Sequence, residues 1–166
     1  MNHIDEAAGR LSACLGNLTQ ALMEMTAVFR VKRQVLAKAD LQALSELFER
    51  EEAVAERLFA AESERQIIAE ELAVAVGVEG GKLVDITEAL DGSARLKLLE
   101  EGKRLNTTMG ALVREARVVA LVCHAAVEHY DKLIRIITGG SLEGGTYTPH
   151  GLKGDGSRRS IIDQAI

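Results

Sequence analysis

The chain has 166 residues, enough for one domain with a core of its own. It has one proline, no tryptophan and only 3% aromatic residues, and it is rich in Ala, Leu, Val, Glu and Arg, which favours long helices over a compact α/β domain. A net charge of −5 and a pI near 5.4 exclude a general affinity for nucleic acid or anionic membrane.

The first predicted helix covers Ile4 to Ala37. Apolar residues recur at steps of four and three through Ile4, Ala8, Leu11, Leu15, Leu18, Leu22, Met25, Phe29 and Leu36, with Lys32 the one charge on the ladder. The segment Met1–Glu6 has no basic region and no apolar run, so it does not read as a secretion signal. No later stretch has the apolar length of a membrane span. A soluble cytoplasmic protein without membrane insertion is expected.

Lys38-Ala39-Asp40-Leu41 breaks the pattern, and Asp40 suits the N-cap of a second helix, Leu41 to Val76. Its ladder is Leu44, Leu47, Glu51, Val54, Leu58, Ala61, Arg65, Ile68, Leu72 and Ala75. Both helices are roughly 50 Å long at 1.5 Å per residue. A short link between helices of matched length predicts an antiparallel hairpin. Lys32, Glu51 and Arg65 read as charges snorkelling from an open seam, and a Lys32–Glu51 contact would help set its register. The other acids, as in Glu49-Arg50-Glu51-Glu52, read as a solvated face.

Gly77-Val78-Glu79-Gly80-Gly81 ends the second helix, Lys82 to Leu90 suits a short one, and Ser93 suits the N-cap of a third long helix. That helix carries the longest seam in the chain. It runs through Leu98, Gly102, Leu105, Met109, Leu112, Ala116, Val119, Cys123, Ala126, Tyr130, Leu133 and Ile137. Between Val118 and Val127 only His124 is polar, so this belt needs cover on every side. A two-helix hairpin cannot give all of it. The Val119–Val122 face is therefore expected to be open to a second copy or to a partner's amphipathic helix. Residues 40–76 carry ten acids against three bases and residues 93–138 eight bases against five acids, which predicts that these two helices are neighbours.

Seven of the fifteen glycines and the only proline lie between Gly139 and Gly156. The expected organisation is a bundle over 1–138 and a flexible tail over 139–166, where Ile161, Ile162, Ala165 and Ile166 could form a short terminal helix. The fold class is all-α: an elongated antiparallel hairpin, a short helix, a long third helix and a glycine-rich tail.

No catalytic constellation appears. His124 and His129 are five apart, about 140° around a helix, and cannot share a metal. No Glu-x-x-His, paired-cysteine or phosphate-loop motif occurs, and Cys14 and Cys123 read as small buried thiols in a reducing compartment. The reading is of a binding protein, not an enzyme, with no cofactor and no metal.

Three stretches resemble the FlgN-type flagellar export chaperones. Lys38-Ala39-Asp40-Leu41-Gln42-Ala43-Leu44 is similar to that family's lysine-glycine-aspartate-leucine turn and the helix after it. Leu83 to Leu105 resembles its short helix leading into a long third one, and Tyr147-Thr148-Pro149-His150-Gly151 is similar to the tyrosine–three-residues–glycine element of its tail. The chain departs from the family where paired asparagines are usual in the third helix, keeping only Asn106, with Cys-His-Ala-Ala-Val-Glu-His-Tyr at 123–130. The resemblance implies a chaperone that binds the helical termini of hook-associated (hook–filament junction) proteins, prevents premature assembly and delivers them to the flagellar export-gate protein. Client binding then falls on the apolar belt, at Leu112, Val118, Val119, Leu121, Val122, Ala126, Leu133 and Ile137. Docking to the gate falls on Tyr147 and Gly151. The alternative is a structural coiled-coil protein that self-associates through the third long helix.

Overall fold

Small side chains decide which helix lies at the centre. The computed structural model describes residues 3–138, among which there are four helices and no strand: α1 (His3–Lys38), α2 (Leu41–Val76), α3 (Leu83–Ala89) and α4 (Gly92–Ile137). Thirteen residues of α1 are buried, against six of α2 and two of α4, so α1 is the wall that the others share. Its ladder of Leu11, Leu15, Leu18, Leu22 and Met25 is widened by Ala7, Ser12, Cys14, Thr19, Ala21 and Thr26. The Thr19 and Thr26 hydroxyls donate to the carbonyls of Leu15 and Leu22 at 2.9 and 2.7 Å, so both threonines are satisfied where they are buried.

The chain divides into two compact units, Met1–Ala120 and Leu121–Ile166, with α4 contributing to both. In the first unit α1 and α2 form the predicted antiparallel hairpin, in register through Arg10–Glu71 at 3.1 Å, Glu24–Arg57 at 2.5 Å and Lys32–Glu51 at 2.5 Å. Arg30 and Arg33 of α1 both reach Glu115 of α4, at 3.2 and 3.5 Å, and Leu98 joins a core cluster with Leu11, Leu15, Ile68, Leu72, Ile86 and Leu90. Within this unit α4 therefore runs parallel to α1.

Several expectations are corrected. Lys32 makes the expected contact with Glu51 but does not snorkel freely: its ammonium is half-buried and held 4.6 Å from the Phe48 ring centroid. Arg65 pairs along its own helix with Glu62, which draws that carboxyl below the usual glutamate range. The acidic α2 and the more basic α4 do not pair by charge; both make ion pairs with α1, and none joins α2 to α4 among the described residues. The last helix begins at Gly92, which takes a left-handed φ of 67°, so Ser93 falls inside the first turn rather than capping it. Residues 139–166, expected as a flexible tail with a short terminal helix, lie outside the described residues.

Both long hairpin helices end in the same motif. Val78 N–H donates to Ala73 C=O at 2.9 Å and Gly77 N–H to Val74 C=O at 3.2 Å, with Gly77 left-handed at φ 75°. At the end of α1 the matching bonds are Asp40 N–H to Val35 C=O at 3.3 Å and Ala39 N–H to Leu36 C=O at 3.1 Å, but the left-handed residue is Ala39, at φ 54°. Asp40 then caps α2 as expected, its Oδ1 accepting from Ala43 N–H at 3.0 Å. A Cβ in the left-handed region costs about 1–2 kcal/mol. Ala39→Gly is therefore expected to stabilise the protein by about 1 kcal/mol, read as a rise in the urea midpoint, with helicity unchanged. A fall in the midpoint would show that the turn carries no strain.

Candidate functional site

The stretch Leu121–Ile137, the part of α4 that belongs to the second unit, separates most of its side chains by chemistry. At 100° per residue, Val122, Cys123, Ala126, Val127, Tyr130, Leu133, Ile134 and Ile137 fall on one face about 140° wide. His124, Glu128, Asp131, Lys132 and Arg135 occupy the opposite side. The face is open along its length: Val127, Tyr130, Leu133, Ile134 and Ile137 are exposed, Tyr130 by 51%, while Val122, Cys123 and Ala126 are half-buried. On the polar side His124 Nε2 lies 3.4 Å from Glu128 Oε1, an i,i+4 pair that supports the helix when the imidazole is protonated.

The sequence-predicted residues divide between the two units. Leu112 and Val118 are half-buried and Val119 is 7% exposed, all three in the first unit. The expectation that the Val119–Val122 face is open is therefore corrected at Val119. The reason is the register of α4 on α1: Glu115, one turn before Val119, is held by Arg30 and Arg33 on the α1-facing side. Leu121, Leu133 and Ile137 are exposed, but Leu121 lies on the polar side of the helix, away from the face that holds Val122, Ala126, Leu133 and Ile137. Tyr147 and Gly151 lie outside the described residues.

The client-binding set expected from the sequence leaves out Val127, Tyr130 and Ile134, although Tyr130 is on the seam and Val127 in the belt. Tyr130 stands on the strict 4-3 ladder, and Val127 and Ile134 border it, as a 3.6-residue period requires of a stripe wider than a seam.

The thiols take no part in a visible constellation. Cys14 is buried and donates to Ala61 C=O at 3.3 Å, and burial, with Glu64 nearby, pushes its pKa up and keeps it an unreactive thiol. Among the described residues no group of three or more His, Cys, Asp or Glu side chains is placed to hold a metal ion, and no helix is long and apolar enough to cross a membrane. What the face offers is apolar area without directional chemistry, which suits an amphipathic helix laid along it.

Compared with known proteins, the chain matches the family model described as FlgN protein over residues 1–154. No curated protein and no solved structure matches it significantly.

The burial pattern separates fold from surface. Val119→Asp puts an unpaired charge into the first unit and is expected to cost about 3 kcal/mol or more, seen as a large drop in the thermal midpoint. Leu133→Asp combined with Ile134→Asp is expected to leave the circular dichroism spectrum and the midpoint of the first unit's transition unchanged. Equal destabilisation by both variants would mean that the 122–137 face is core.

Proposed function

The chain belongs to the FlgN family of flagellar export chaperones, and on that premise we propose that it acts in the cytoplasm on hook–filament junction proteins. It binds their helical termini, prevents premature assembly and delivers them to the export gate. The observation that carries this reading is the open apolar face of α4 from Val122 to Ile137. A client terminus that polymerises through an amphipathic helix needs that helix masked reversibly, and an apolar face does this without an energy source. The ring of Tyr130 and the branched side chains of Leu133, Ile134 and Ile137 supply the area. Tyr130 also presents a hydroxyl that can stay wet while its ring is covered.

In this reading Tyr147 and Gly151 serve a second step. A tyrosine between glycines has large area, few rotatable bonds and a polar tip, the properties of an interface anchor, and the glycines let it reach the export-gate protein while α4 holds client.

The test uses purified protein and peptides copying the helical termini of hook–filament junction proteins. Calorimetry is expected to show one peptide per chain, and Leu133→Asp with Ile134→Asp to weaken it at least a hundredfold, since two anchor positions each contribute about 2 kcal/mol. Tyr147→Ala is expected to keep peptide affinity and to weaken binding to the purified gate protein about thirtyfold, the equivalent of about 2 kcal/mol. Client affinity that survives the double substitution, or a stable dimer that peptide leaves intact, would favour a structural coiled coil that self-associates through α4.

A further inference from the structure

The outward side of α2 is not the plain solvated face that its acids suggest. Leu41, Phe48, Phe59, Ile67 and Val74 are all exposed, Leu41, Phe59 and Val74 by 76, 77 and 81%. At 100° per residue they lie within about 100° of arc, on the side away from the buried Val54, Ile68 and Leu72. Two of the chain's three phenylalanines are among them. Phe48 also carries Lys32 of α1 on its ring, but folding does not account for the rest of the row, because α2 already has its core face and Leu41, Phe59, Ile67 and Val74 are not part of it.

The same sector holds Glu49, Glu52, Glu56 and Glu70 and no base of α2. None of these four carboxylates has an ion-pair partner among the described residues, although Glu51, Glu62 and Glu71 of the same helix are all paired. Near its end the row opens into a shallow groove lined by Ile67, Glu70, Glu71, Val74 and Ala75 of α2 and by His3 and Arg10 of α1, where Arg10 is already held by Glu71.

We propose that this face of α2 is a docking surface for a basic amphipathic helix of a partner protein, separate from the α4 face assigned to client. Apolar residues at spacings of seven, eleven, eight and seven over a helix of roughly 50 Å suit a helix laid lengthwise. Carboxylates along it that pair with no base among the described residues select lysine- or arginine-rich partners and repel acidic ones. The same charges argue against the other occupants: two copies joined through this face would set glutamate rows against each other, and an anionic membrane would be repelled.

The probe is an 18-residue helical peptide of leucine and lysine in amphipathic spacing, titrated into the full-length protein and followed by fluorescence anisotropy. A matched leucine–glutamate peptide is expected to bind at least tenfold more weakly. Phe59→Ser with Ile67→Ser, both exposed enough to leave the fold intact by circular dichroism, is expected to weaken the lysine peptide at least tenfold, as is Glu52→Lys with Glu56→Lys. Reversal of the exposed off-face acids, Glu46→Lys with Glu64→Lys, is expected to change it less than threefold, and Leu133→Ser with Ile134→Ser to leave it unchanged. Equal loss on off-face reversal would reduce the effect to net charge and overturn the proposal. Loss with the α4 variant would place the peptide on the client face. A dimer in light scattering that the Phe59→Ser, Ile67→Ser variant abolishes would make the occupant a second copy.

Discussion

The fold depends on α1 being narrow enough to be packed from more than one side. A helix with one leucine seam can bury one stripe; α1 adds buried alanine, serine, cysteine and threonine beside its seam, so a wider arc of it is covered. The price of small polar residues is met locally, with the threonine hydroxyls closing onto the carbonyl one turn back. With α1 in that role, α2 and α4 need only one buried face each. Their remaining faces are free to be chosen for something other than stability.

That arrangement explains which parts of the sequence were legible. The hairpin was: two apolar-periodic runs of equal length, broken at Lys38–Asp40, leave little choice, and Asp40 and Gly77 cap α2 as read. The family resemblance was legible in part for the same reason, since it rests on that turn and on the order of the helices as well as on the Tyr147–Gly151 stretch. Centrality was not. Hydrophobicity alone points to α4, whose 118–127 belt is the most continuously apolar stretch. Burial falls instead on α1, where alanine and threonine look unremarkable in a periodicity count but permit close packing. Val119 shows the same failure on a single residue: the pattern marks it as apolar, and only its place one turn beyond the Arg30–Glu115–Arg33 cluster says which way it faces.

Charge was half legible. The contrast between 40–76 and 93–138 is real, but it does not say which helix each charge meets. Arginines on α1 take Glu71 from α2 and Glu115 from α4, and Glu24 on α1 takes Arg57. Such pairs, mostly exposed, add little stability individually. Their value lies in register: three rungs along one hairpin, the last with Lys32 against Phe48, favour one alignment over its slipped alternatives.

The core cluster draws on residues of α1, α2, α3 and the start of α4, and its last packed member is Leu105. The apolar face from Val122 to Ile137 contributes no residue to that cluster, and Val127, Tyr130, Leu133, Ile134 and Ile137 on it are exposed. A protein that must cover a sticky client and release it again benefits from this division. If the binding face were also core, each release would expose the interior, and affinity could not be tuned without altering stability. With its buried residues at Leu98 and Val119 and its exposed apolar ones at Val127, Tyr130, Leu133, Ile134 and Ile137, α4 divides the two tasks between different residues.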